Sequence, residues 1–142
     1  MSASTKLSSS VKALCFLAES YPLPKTSNEI AEDTGINASK LRKLLSMLSK
    51  GKIVESNQGT KGGFQLLKSP KDIQLQEIYC AIEDRKAFHL KVTDDVNGED
   101  KYDYFGYFQN LFSSIQVDIE KKMTKISLQE IMDYLNIKTK FK

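Results

Sequence analysis

The sequence predicts a mainly α-helical fold with one small two-stranded β hairpin, and three observations lead there. Apolar residues recur every three or four positions in successive segments, the period of helices with one buried face. Two short apolar runs flank a seven-residue stretch holding three glycines, which is the pattern of a hairpin. At 142 residues the chain suits one compact domain with an appended element, and it is too short for a large multidomain enzyme.

A first helix is expected from about Ser8 to Tyr21, with Val11, Leu14, Cys15 and Ala18 on one face and Pro22 and Pro24 as its stop. Thr26 followed three residues later by Glu29 forms a capping-box pattern. It opens a short second helix with Ile30 and Ala31 inward and Gly35 at its end. Asn37 caps a third helix, where Leu41, Leu44, Leu45 and Leu48 make an i, i+3, i+4, i+7 stripe that stops at Gly51. Ile53–Ser56 and Phe64–Leu67 read as strands joined by Asn57 to Gly63, whose glycines accept positive φ. Pro70 ends the hairpin, and Leu75, Ile78, Ala81 and Ile82 mark a fourth helix that closes over the core.

From Asp84 to Lys101 the pattern fades into polar sequence and reads as a linker. A long helix from about Asp103 to Met123 follows, with Phe105, Phe108, Phe112, Ile115, Ile119 and Met123 forming a stripe over roughly 30 Å. Such a stripe exceeds what the short last helix can shield, so a second subunit is the expected cover. That last helix opens with Ser127 and Glu130 as a second capping box and carries Leu128, Ile131, Met132 and Leu135. The expected division is 1–84 for the first domain, 85–102 for the linker, and 103–142 for a dimerisation helix and short C-terminal helix.

Two short helices joined by a tight glycine turn and followed by a hairpin form the winged helix-turn-helix arrangement, whose second helix enters a DNA major groove. Charge agrees with this. Residues 1–70 carry a net +5 and residues 71–142 a net −2, while residues 36–70 alone hold seven Lys/Arg against the single acid Glu55. With its leucines inward, the third helix presents Ser39, Lys43, Ser46 and Lys50 outward, with Lys40 and Arg42 at the margins. Thr60, Lys61 and Gly62 lie in the hairpin loop, where a lysine, a hydroxyl and backbone amides suit a DNA backbone or minor groove.

Other chemistries find little support. The loop has no GK[ST] and lies between two strands, so it is not a nucleotide-phosphate loop. His89 is the only histidine, which leaves no Ser/His/Asp or Cys/His set, and no enzyme is expected. The Asp95-Val96-Asn97-Gly98 stretch lacks carboxylates at Thr93 and Tyr104, where a calcium loop needs them. No apolar run approaches the ~20 residues of a membrane span, Met1 to Ser10 has no apolar signal region, and the two cysteines suggest no disulfide framework. The expectation is a cytoplasmic protein with no membrane association.

At the level of motifs the chain resembles the Rrf-two family of winged helix-turn-helix transcription regulators, the relatives of IscR, NsrR and CymR. Val11-Lys12-Ala13-Leu14 with Phe16-Leu17-Ala18 is similar to the family's first helix, and Ser27 to Ala31 with Gly35-Ile36 to its helix-turn. Leu41-Arg42-Lys43-Leu44-Leu45 is similar to its recognition helix. Gly51-Lys52-Ile53-Val54-Glu55-Ser56 running into Gly59-Thr60-Lys61-Gly62-Gly63-Phe64 resembles its wing, with Gln58 where a basic residue is common. Cluster-binding members take three closely spaced cysteines from the segment that here runs from Arg85 to Tyr104, which contains none. The resemblance therefore implies the cluster-free branch, similar to CymR and YwnA, with no cofactor.

The expected function is a dimeric, sequence-specific transcription regulator, a repressor, that binds a roughly palindromic double-stranded DNA operator and answers to an unknown small-molecule or protein effector. The alternative is a winged-helix module that binds protein through the same face. Of the thiols, Cys15 reads as a core residue, while Cys80 lies opposite Leu75, Ile78 and Ile82 and is the candidate for a redox role. The stripe Phe105, Phe108, Phe112, Ile115 and Ile119 is the expected dimer interface.

Overall fold

A computed structural model of the chain describes residues 2–60, 62–83 and 101–142. Lys61, His89 and nearly all of the expected linker therefore lie outside the described residues. The order is α1 (Ala3–Ser20), α2 (Ser27–Thr34), α3 (Ala38–Lys50), β1 (Val54–Asn57), β2 (Gly63–Leu66), a 3-10 turn (Pro70–Asp72), α4 (Leu75–Ile82), α5 (Tyr104–Thr124) and α6 (Leu128–Leu135). No helix among the described residues is long and apolar enough to cross a membrane.

The caps legible in the sequence are the ones that set the helix ends. Thr26 Oγ1 accepts from the Glu29 amide at 3.1 Å while the Glu29 carboxylate accepts from the Thr26 amide at 3.1 Å, a reciprocal box that satisfies two otherwise orphaned donors. Hydrogen bonds from the Thr26 backbone and hydroxyl, with Lys25 nearby, hold the Glu29 carboxyl below its usual range. Gly35 ends α2 at φ +76°, and Asn37 Oδ1 accepts from the amides of Ser39 and Lys40 to start α3. Helix α1 begins five residues earlier than its apolar period suggests. Ser2 caps it through the Thr5 amide, and Lys6 is held by Glu83 at 2.6 Å, so its polar first turns are fixed by partners that periodicity does not register.

The strands pair antiparallel with Val54 opposite Leu66 and Ser56 opposite Phe64, each one residue away from the expected limits. One core joins Leu14, Leu17 and Ala18 of α1, Ile30 of α2, Leu41, Leu44, Leu45 and Leu48 of α3, Val54 and Leu66 of the hairpin, and Ile78 and Ile82 of α4. Leu128 and Met132 of α6 belong to this same cluster. The last helix is docked there by a short bridge, in which Leu75 donates to Ile126 and Leu128 donates to Ile73, both at 2.8 Å. Beyond it, the Thr139 hydroxyl donates to the Ala18 carbonyl at 2.5 Å and Phe141 stacks on Tyr21 at 4.2 Å.

Helix α5 packs on α4 through one face. Gln116 and Met123, seven residues apart, are buried, and Gln116 Nε2 donates to the Tyr79 hydroxyl at 3.0 Å. At ~100° per residue, the flank beside that buried face carries Tyr104, Tyr107, Phe108, Leu111 and Ile115, all of them exposed.

Candidate nucleic-acid interface

Helix α3 is amphipathic in the way its leucine stripe requires. Leu41, Leu45 and Leu48 are completely buried and Leu44 nearly so, while Ser39, Lys40, Arg42, Lys43, Ser46 and Lys50 are all exposed. None of these four cations has a salt-bridge partner among the described residues, and α3 contains no acid. A helix face with unneutralised cations and hydroxyls spaced along it is a set of hydrogen-bond donors without internal acceptors, which is the chemistry that phosphate and base edges meet.

The hairpin stands beside that face. A groove of about 550 Å³ runs between them, lined by Arg42, Ser46, Ser49 and Lys50 from α3, Ser56 and Phe64 from the strands, and Ser27 from the start of α2. Arg42 and Ser46 are legible from the helical wheel of α3, whereas Ser27, Ser49 and Ser56 are absent from the sequence expectation. For Ser49 the spacing i+7 from Arg42 was an available signal, but Ser27 and Ser56 reach the groove only through tertiary packing.

Three glycines shape the hairpin loop, and each does so for its own reason. Gly59 takes φ +106°. A Cβ on Gly62 would lie 2.6 Å from the Asn57 carbonyl oxygen, and one on Gly63 would lie 2.6 Å from the Lys25 backbone. That last approach matters because Lys25 and Phe64 exchange two backbone hydrogen bonds, of 3.0 and 2.7 Å, which tie the hairpin to the segment entering α2. Of the three loop positions singled out in the sequence, Thr60 is exposed, Gly62 is half-buried, and Lys61 lies outside the described residues.

The expected dimer stripe is divided by the structure. Phe108 and Ile115 are exposed, whereas Phe105, Phe112 and Ile119 are half-buried and Met123 is buried. In the single chain the exposed apolar residues near the start and middle of α5 are Tyr104, Tyr107, Phe108, Leu111 and Ile115, of which a strict heptad pattern passes over Tyr104, Tyr107 and Leu111.

Cys15 is 5% exposed in the core and Cys80 is exposed on α4, where Gln76 Nε2 lies 3.2 Å from its sulfur. Burial, with help from the Glu19 charge, pushes the Cys15 thiol up to about 11. A thiol is a nucleophile only as thiolate, so native protein at pH 8 should show one fast-reacting thiol, Cys80, with Cys15 reacting only on unfolding. Two fast thiols in a colorimetric thiol titration of the native chain would contradict this. Because the folded chain holds the Cys15 proton more tightly than the unfolded chain, its stabilising contribution is present below the unfolded value near 9 and is lost as pH rises through about 11.

Comparison with known proteins agrees with this geometry. Residues 3–134 match the Rrf2 family, described as "Iron-dependent Transcriptional regulator". The chain is 31% identical over 112 residues to the putative HTH-type transcriptional regulator YwgB of Bacillus subtilis, covering 76% of this chain and 69% of that one. It is 32% identical over 116 residues to the putative HTH-type transcriptional regulator YwnA of the same organism, covering 78% and 84%. In three dimensions it superposes on CymR, the global cysteine regulator of B. subtilis, with a TM-score of 0.68 at 20% identity, covering 92% of this chain and 95% of that one. With a hairpin beside a cationic second helix of the turn, and a family match over nearly its whole length, the chain belongs to the Rrf2 family of DNA-binding transcriptional regulators, which are not enzymes.

Proposed function

We propose that this regulator is a cytoplasmic homodimer that represses transcription by binding a roughly palindromic operator, without an iron–sulfur cluster. The observation that carries the reading is the outer face of α3, where Lys40, Arg42 and Lys43 stand exposed with no salt-bridge partner among the described residues and Arg42 lines the groove beside the hairpin. Ser39, Lys40, Arg42, Lys43 and Ser46 enter the major groove, and Thr60, Lys61 and Gly62 of the loop meet the DNA backbone. The exposed apolar ridge on α5 supports the dimer, since a second copy laid ridge to ridge would cover it, and a two-fold regulator presents its two recognition helices to successive major grooves ~34 Å apart.

The family's description names iron, so the donor set needs testing against a cluster. Iron–sulfur clusters are held mainly by cysteine thiolates. The whole chain has two cysteines, one inside the core on α1 and one on the surface of α4, and the segment 85–104 has none. These residues do not fit a cluster, which supports a regulator governed by a small molecule, a partner protein or an oxidant entering through Cys80.

Selection of genomic fragments on the immobilised protein, followed by affinity measurement, tests the reading. Arg42→Ala combined with Lys43→Ala should abolish preference for the selected operator, at roughly 1–3 kcal/mol for each base that is no longer recognised. Lys61→Ala should weaken operator and random duplex alike. An unchanged operator-to-random ratio in the double variant would remove α3 from the role of base reader.

A further inference from the structure

We infer that a second cleft, between α1 and the turn leading into α3, clamps a DNA backbone phosphate on the side of the major groove opposite the hairpin; this rests on the reading of α3 as the groove helix. The cleft measures about 400 Å³. Thr5, Ser8, Ser9 and Lys12 of α1 form one wall, and Asn37 and Lys40 at the start of α3 form the other. Positions 5, 8, 9 and 12 follow helical spacing, so these hydroxyls and one ammonium share a single face of α1. No acidic side chain lines the cleft. Lys12 and Lys40 are exposed, and neither has a salt bridge among the described residues.

Geometry gives the cleft its occupant. A helix lying in the ~12 Å wide major groove has a phosphate strand on each side. The groove lined by Arg42, Ser49, Lys50 and Ser56 opens toward the hairpin, and so takes one of those strands. The α1 cleft flanks α3 at its first turn, with Lys40 shared between the cleft and the exposed face of α3. The ammonium groups of Lys12 and Lys40 and the Ser9 hydroxyl, with the hydroxyls of Thr5 and Ser8 already engaged within α1 and its cap, form a cationic concavity. That composition suits a phosphodiester.

The test is the salt dependence of binding by the full chain to a random-sequence duplex and to a genomically selected operator fragment. Each phosphate contact contributes about 0.9 to the slope of log K against log salt. Lys12→Ala should reduce that slope by about 0.9 per subunit and leave the operator-to-random ratio unchanged, because phosphate contacts carry no sequence information. Lys12→Arg should restore the slope. Lys138→Ala, which removes an exposed lysine outside both grooves, should leave it at the wild-type value. A wild-type slope in Lys12→Ala, or an equal decrease in Lys138→Ala, would overturn the clamp while leaving the α3 reading intact. A nearly flat slope in the wild-type protein would overturn the DNA-binding reading and the clamp with it.

Discussion

Ile115→Asp should convert the proposed dimer to a monomer, raising its dissociation constant by about 10²–10³, or roughly 3–4 kcal/mol, and operator affinity should fall with it. Ile115 sits on the exposed ridge of α5, 37% exposed in the single chain, so the aspartate remains hydrated in a monomer and the fold should be undisturbed. In a two-fold interface the same ridge meets itself, and the substitution places carboxylates in apolar surroundings from both subunits at once. An unpaired charge there loses solvation without gaining a partner. A monomer carries one α3 and engages one half-site, which removes the gain from binding two sites on one DNA. Sedimentation velocity at micromolar protein, alongside operator titration, checks both halves of the prediction. A wild-type monomer, or a monomeric variant with undiminished operator affinity, would refute the dimer arrangement. Met123→Asp is an instructive contrast. Met123 is buried within the single chain, on the same face of α5 as Gln116, and a charge there should lower the stability of each chain rather than its association.

The division of α5 into a covered and an exposed face marks the limit of what the sequence made legible. Order and identity of the helices were readable because they depend on neighbours three or four residues away. Thr26 with Glu29, Gly35 and Asn37 each act within one turn, and the α3 leucines all point into the core as their spacing requires. The rotation of α5 depends instead on what α4 offers. The Tyr79 hydroxyl accepts from Gln116, so a polar residue turns inward while Tyr104, Phe108 and Leu111 turn out, which hydrophobicity alone ranks in the reverse order. The docking of α6 into the core is likewise set by hydrogen bonds between residues more than fifty positions apart, from Leu75 to Ile126 and from Leu128 to Ile73. At the candidate interface, the donors on α3 were legible from its wheel. Ser27 and Ser56 were not, because they come to the groove only after the hairpin is pinned to Lys25.

That pin is where a single methyl group should have a large effect. Gly63→Ala is expected to destabilise the protein by ~2–5 kcal/mol, from two sources acting together. At φ +145° an alanine is strained by about 1–3 kcal/mol. Its Cβ would also lie 2.6 Å from the Lys25 backbone, so the strand must retreat and give up one or both of the Lys25–Phe64 hydrogen bonds, each worth roughly 0.5–1.5 kcal/mol. Gly59→Ala separates the two causes. Gly59 has φ +106° but open space where its Cβ would be, so that variant carries strain without collision and should be destabilised less. Thermal melts of the two variants should therefore differ, with Gly63→Ala the lower by several degrees. Because the hairpin then stands farther from α3, the groove between Phe64 and Arg42 opens, and affinity for operator and random DNA should fall in parallel. Equal melting temperatures for the two variants would show that the Lys25 contact does not hold the hairpin in place. A Gly63→Ala protein that melts lower yet binds DNA as the wild type does would show that the position of the hairpin is not what the DNA reads.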